Sequence, residues 1–110
     1  MHKTKTTRGF DIIKFVDDYG EECSLQKSSS ADADRVWLGV SSPTCMVIAS
    51  KHRDLAEHRT DVDPSERFNG WMDYPLPPDC SIPTRMHLNR SQAKKLAKAL
   101  KHFAKHGRLP

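Results

Sequence analysis

The stretch of sequence that decides the fold class is residues 89–107, NRSQAKKLAKALKHFAKHG. Asn89 is a favoured N-cap residue, and Gln92 three positions later completes a capping box. Gly107 is the residue type that most often ends a helix in the left-handed conformation. The pattern therefore predicts a helix over residues 90–106.

The predicted helix carries two different faces on opposite sides. Its apolar face consists of Ala93, Leu96, Ala97, Leu100, Phe103 and Ala104. Its cationic face consists of Lys94, Lys98, Lys101 and Lys105, with Lys95 and His102 beside them. An apolar face of this kind is typical of a helix on a protein core, so we expect contact through Leu96, Leu100 and Phe103.

The residues before the helix alternate between short apolar runs and turn signals, which is typical of β-strands. The predicted strands are residues 10–16, 22–27, 35–40, 45–49 and 84–88. The fourth is expected to pair with the third, because the connection between them is short. The expected fold class is α+β, an antiparallel β-sheet of about four or five strands with one long C-terminal amphipathic helix packed on one face.

The first two predicted strands form a β-hairpin, because Asp18-Tyr19-Gly20-Glu21 between them is typical of a turn. In the second arm the alternation of side chains places Cys23 and Leu25 inward. The same alternation places Ser24 and Gln26 outward.

The length of 110 residues predicts one domain, residues 1–110, with a single core. Residues 1–8 are expected to form a flexible basic N-terminus. Residues 50–70 are charged and poor in large apolar side chains, so we expect a mobile surface excursion there, with at most a short helix around 52–59.

Charge is distributed unevenly along the chain, although the net charge is only +4. Residues 1–8 carry three bases and no acid, and residues 9–79 carry seven bases and all fourteen acids. Residues 80–110 carry eight bases and no acid. Such a block is either a cationic surface for an anionic partner or the electrostatic complement of the acidic part of the chain.

Several classes of protein are not supported by the sequence. No apolar run approaches the roughly 20 residues of a membrane span, and no apolar signal-peptide segment follows the basic N-terminus, so we expect a cytoplasmic protein. The sequence contains no phosphate-binding loop, nucleophile elbow or HExxH motif, so we expect no enzyme, no catalytic residue and no cofactor. Cys45, His52, His58 and Cys80 are zinc-ligand types, but their spacing is unlike that of zinc sites, so we expect no metal.

Two sets of residues are candidates for binding. For nucleic acid the candidates are Lys94, Lys95, Lys98, Lys101, Lys105 and Arg108, because a row of lysines can follow backbone phosphates. For a protein partner the candidates are Lys94, Lys98, Lys101, Lys105, Trp71 and Tyr74, because Trp and Tyr often anchor interfaces. The alternatives are that the lysines form an ordinary solvated face and that the aromatic side chains fill the core.

Five segments of the sequence together resemble a family of small uncharacterised proteins carried by bacteriophages and prophages. They are residues 6–10 (TTRGF), 19–20 (YG), 23–29 (CSLQKSS), 36–39 (VWLG) and 84–90 (TRMHLNR). The resemblance implies a non-enzymatic viral accessory protein in the cytoplasm of the bacterial host cell. It would bind and inhibit or redirect a host or defence protein, for example a nuclease or a nucleoprotein complex.

Two other functions stay open at the level of sequence. One is a nucleic-acid-binding module that uses the lysine-rich helix. The other, less favoured, is a small zinc protein or hydrolase. The chain could also form a homodimer, which the sequence does not decide.

Overall fold

The structure is a computed structural model that describes residues 1–110. Its strands are β1 (His2–Lys5), β2 (Asp11–Val16), β3 (Glu22–Lys27), β4 (Arg35–Val40), β5 (Met46–Ile48), β6 (Trp71–Asp73) and β7 (Arg85–Asn89). Its α-helices are α1 (Arg53–Ala56) and α2 (Arg90–His106), and two short 3₁₀ turns span Ala49–Lys51 and Pro64–Glu66. Neither α-helix combines the length and the apolar content that crossing a bilayer requires.

The chain forms two compact units. The first, called here the sheet unit, comprises Met1–Ser42 and Pro83–Pro110, and the second, called the ribbon unit, comprises Pro43–Ile82. The single domain expected from the length stays a prediction, because two compact units can belong to one cooperatively folding domain.

The sheet unit has the predicted α+β class. Its five strands form an antiparallel sheet in the order β1-β2-β3-β4-β7. The predicted hairpin of β2 and β3 is present, and the carboxylate of Asp17 accepts hydrogen bonds from the backbone N–H groups of Tyr19 and Glu21, each at 2.9 Å. Gly20 adopts a φ of 89°, which a side chain would disfavour.

β1 lies where the sequence led us to expect a flexible tail. It pairs with β2 as an edge strand, and Lys5 forms an ion pair with Asp11 across the turn. The turn itself is closed by Gly9 N–H donating to the carbonyl of Thr6 at 2.9 Å. A polar, lysine-containing strand gives little pattern in sequence, but it can still complete the hydrogen bonds of an exposed edge.

The expected pairing of the strand at 45–49 with β4 is wrong. β5 pairs with β6 in a separate two-stranded ribbon, and the open edge of β4 is occupied by β7, with Trp37 directly opposite His87. β7 provides five residues for the edge of β4, whereas β5 has only three. More ladder hydrogen bonds form with the longer strand.

The apolar face of the sheet includes a row that crosses four strands. Ile13, Leu25, Leu38 and Met86 lie opposite one another in register. The neighbouring Cys23 is buried, as expected for an inward position. Ser24, expected to point outward into solvent, is 2% exposed. It lies on the central strand β3, directly opposite Lys14 and Gly39 on the two neighbouring strands.

The helix α2 has the predicted bounds. The Asn89 side chain accepts from Gln92 N–H at 2.8 Å, and the Gln92 side chain accepts from Asn89 N–H at 3.0 Å, which completes the capping box. Gly107 follows the helix with a φ of 71°, as a left-handed C-terminal residue. The predicted helix ends are therefore confirmed.

The expected packing of α2 through Leu100 and Phe103 is wrong. The helix packs against the sheet at β7, and its side chains at Ala93 and Leu96 are half-buried. Leu100 is 54% exposed and Phe103 is 51% exposed. Because Asn89 is both the last residue of the edge strand and the N-cap, the helix leaves the sheet edge without a loop that would fold it back.

The ribbon unit has a small core of its own. Ala49, Ala56 and Met72 are buried, and Val47 and Phe68 pack against them. Residues 50–70, expected to be a mobile excursion, contain much of this unit, and their mobility stays a prediction. The short helix expected around 52–59 is the single turn α1.

Arg59 links distant parts of the ribbon unit. Its side chain is only 8% exposed. The guanidinium pairs with both carboxylate oxygens of Asp61, and its Nη1 donates to the carbonyls of Arg67 and Asn69 at 3.1 and 3.2 Å. Arg67 Nε in turn donates to the carbonyl of Arg59 at 3.1 Å.

Candidate binding surfaces

The cationic face of α2 is fully open to solvent. Lys94, Lys98, Lys101 and Lys105 are all exposed, and at 1.5 Å per residue they span about 16 Å along the helix. None of the ion pairs in the structure involves a residue of α2. These four ammonium groups are therefore available to an anionic partner.

A surface groove runs along the second half of this face. It is lined by Lys95, Lys98, Ala99, Lys101, His102, Lys105, His106 and Pro110. The rings of His102 and His106 lie 4.5 Å apart, one turn apart on the helix. Four of the six residues predicted to bind nucleic acid thus share one groove, while Lys94 and Arg108 are exposed outside its lining.

The dipole of the helix backbone affects only part of the cationic face. The negative end of the helix dipole acts over the last turn, where Lys105 and His106 lie. Lys94, Lys95 and Lys98 are too far from that end to be compensated by it. The first half of the cationic face therefore carries charge that neither an acidic side chain nor the backbone balances.

The ribbon unit presents an exposed apolar face, called here the Trp71 patch. Val47 and Met72 of the ribbon point toward the small core, so the alternation places Met46, Ile48 and Trp71 on the other side. Trp71 is 63% exposed, and Met46 and Ile48 are 46% and 38% exposed. Trp71 therefore does not fill a core, which was the alternative to a partner-binding role.

Tyr74 lies one residue beyond β6. Its backbone N–H donates to the carbonyl of Cys45 at 2.9 Å, which extends the ribbon. Its ring contacts that of His52 edge-on, at 5.7 Å between centroids, and the side chain is 38% exposed. Trp71 and Tyr74 belong to the ribbon unit, whereas the predicted lysines belong to the sheet unit.

A polar and aromatic cluster on the sheet was not predicted. The rings of Trp37 and His87 stack at 3.9 Å with their planes 8° apart, and the guanidinium of Arg85 lies 5.5 Å from the Trp37 ring. Arg85 also donates to the Gln26 side chain at 3.0 Å, and His87 Nε2 lies 2.9 Å from the hydroxyl of the buried Ser28. In sequence, Arg85 and His87 alternate with Met86 and Leu88, which is the signal for a polar face on this strand.

The cysteines and histidines do not converge. The structure contains no group of three or more His, Cys, Asp or Glu side chains placed to hold a metal ion. Cys23, Cys45 and Cys80 are free thiols. Burial raises the pKa of the Cys23 thiol, and the nearby Asp17 and Glu21 add to that effect. This thiol is therefore held in its unreactive protonated form.

Comparison of the chain with family models, with curated proteins and with solved structures finds no match.

Proposed function

We propose that this chain is a non-enzymatic, phage-type accessory protein that binds and inhibits or redirects a bacterial host or defence protein. The observation that carries the proposal is the exposure of Trp71, at 63%, beside two other exposed apolar side chains. The resemblance of residues 6–10, 19–20, 23–29, 36–39 and 84–90 to proteins of phages and prophages supports the kind of partner.

A tryptophan in such a position suits an interface anchor. Trp is enriched among the residues that dominate binding energies, and these residues act when a partner removes them from water. The Trp71 patch rests on the core of the ribbon unit through Val47 and Met72, so its backbone is held before a partner arrives. A surface that is ordered in advance loses less entropy on binding.

The cationic face of α2 serves the same proposal in a different way. Exposed charges at an interface mainly accelerate encounter with an oppositely charged partner. The open lysines therefore suit an acidic target, such as the nucleic acid within a nucleoprotein complex.

The second candidate function is direct binding of nucleic acid. It is favoured by one observation, the row of four exposed and unpaired lysines over about 16 Å. Lysines in such a row neutralise phosphates and release counterions, so affinity falls steeply with salt. The Trp71 patch has no role in this function.

Affinity capture from bacterial lysate, with and without nuclease treatment, tests the two functions against each other. If the target is a protein, the same protein should be captured after nuclease treatment, and the Trp71→Ala variant should no longer capture it. The matched control is Tyr19→Ala, since Tyr19 is an aromatic side chain that is 94% exposed at the hairpin turn. Capture that is unchanged by Trp71→Ala would contradict the proposal.

Duplex DNA titrations over a range of salt test the second candidate. If the four lysines bind phosphates, the slope of log affinity against log salt is about 0.9 per neutralised phosphate, and each Lys→Ala lowers the number of contacts by about one. A folded variant with Lys94, Lys98, Lys101 and Lys105 all changed to Glu that keeps full DNA affinity would contradict phosphate binding by α2.

A further inference from the structure

We propose that two copies of this chain associate as a symmetric dimer in which the second copy covers the open part of the α2 apolar face. This part, called here the open stripe, consists of Ala97, Leu100, Phe103 and Ala104, all of them exposed. The proposal goes beyond the proposed function and does not depend on it, because the open stripe lies opposite the lysines.

The open stripe differs from an ordinary surface helix. A surface helix normally keeps its apolar side against its own core. In α2 no side chain is buried, and the half-buried positions, which are Ala93, Leu96, Ala99 and His102, do not include the open stripe. Leu100 and Phe103 together form a contiguous apolar surface that the fold of one copy leaves uncovered.

The apolar face of the sheet is incompletely covered as well. In the cross-strand row of Ile13, Leu25, Leu38 and Met86, no side chain is buried, and Met86 is 52% exposed. The centre of a five-stranded sheet would normally be buried on one side. The helix and the sheet thus both have apolar surface to offer to a partner.

The total area supports a partner of substantial size. The chain exposes 9007 Å². Two separate compact bodies of about 70 and about 40 residues, the sizes of the two units, would together expose only about 7,400 Å². The excess over both units is about 1,600 Å² per chain, which is an upper limit on what a second copy covers, so a dimer would bury up to about 3,200 Å². That total lies within the range of roughly 2,000–5,000 Å² for obligate homodimers.

Symmetry and residue size favour a second copy as the partner, because an identical chain offers the same open stripe and the same uncovered sheet face. Residues 1–42 of the sheet unit carry seven acids and six bases, so charge does not oppose the approach of a second helix. Ala97 and Ala104 flank the larger side chains and allow close approach. A twofold axis is the commonest symmetry for such a pair, and it leaves both lysine faces outward.

Sedimentation or light scattering at about 100 µM and below tests the dimer. The expected mass is twice the 12.5 kDa of one chain. Combined Leu100→Gln and Phe103→Gln should weaken self-association by at least about 30-fold, as loss of two central interface residues does. The matched control combines Lys94→Gln and Lys101→Gln on the opposite face of the helix. It should change the dissociation constant of the dimer less than about threefold.

Photocross-linking keeps the test decisive if the glutamine variant fails to fold. Phe103→benzoylphenylalanine retains an aromatic side chain and should give a covalent dimer after irradiation. The same substitution at Tyr19, which is 94% exposed at the hairpin turn, should give none. A single-copy mass at about 100 µM would overturn the proposal. The proposal would also be overturned if the folded glutamine variant still formed the dimer. The same holds if the chain were a monomer whose open stripe inserts into vesicles of anionic lipid.

Discussion

Trp37 and His87 lie directly opposite each other on β4 and β7, and their rings stack at 3.9 Å. The pair connects residues that are fifty positions apart in the chain. His87 also contacts the hydroxyl of the buried Ser28. The pair therefore contributes to the pairing of β4 with the strand from which α2 begins.

The stack predicts a measurable coupling between the two side chains. In a double-mutant cycle with Trp37→Ala and His87→Ala, we expect a coupling energy of about 0.2–1 kcal/mol, the range for cross-strand pairs. The measurement is the free energy of unfolding in urea for the four proteins. Strictly additive effects would show that the rings do not contribute to the register.

The capping box predicts that Asn89→Ala lowers stability by about 1 kcal/mol, because the N–H of Gln92 loses its acceptor. Circular dichroism at 222 nm during thermal unfolding measures the effect. Ser91→Ala is the matched control, since Ser91 is exposed and makes no side-chain hydrogen bond in the structure. Equal effects of the two substitutions would contradict the role of the cap.

The core of the ribbon unit predicts a contrast between two methionines. Met72→Ala should cost about 2–5 kcal/mol, because Met72 is 4% exposed and its removal leaves a cavity. Met46→Ala, on the opposite face of the same ribbon and 46% exposed, should cost less than about 0.5 kcal/mol. Hydrogen exchange of β5 and β6 amides reports on this unit directly. Similar protection in both variants would show that the inner and outer faces are misassigned.

The Arg59 network predicts a defined dependence on pH. The hydrogen bonds from Arg59 hold the pKa of Asp61 below its usual value of 3.8. A lowered carboxylate pKa contributes stability that is complete well above 3.8 and disappears as the pH falls through the folded-state value.

Thermal unfolding of the parent protein and of Asp61→Asn at neutral and at acidic pH checks this prediction. The parent should be the more stable at pH 7, and the difference should shrink at pH values below 3.8. Asp63→Asn provides the control, because Asp63 is exposed and forms no ion pair. A difference that persists unchanged in acid would assign the effect to something other than ionisation.

The sequence by itself determined the elements whose signals are local. The bounds of α2 follow from Asn89, Gln92 and Gly107, which act on backbone groups within one turn. The hairpin of β2 and β3 follows from a turn of a few residues. The cationic face of α2 was also readable, because helical spacing alone places its lysines on one side.

Only the tertiary structure decided which strands meet and which apolar side chains stay open. β4 pairs with β7 rather than with its neighbour in sequence, because distant segments compete for one sheet edge and the longer ladder is favoured. Leu100 and Phe103 look like core residues in sequence, and their exposure depends on whether another surface lies above them. That depends on where the helix leaves the sheet, which residue spacing within the helix cannot encode.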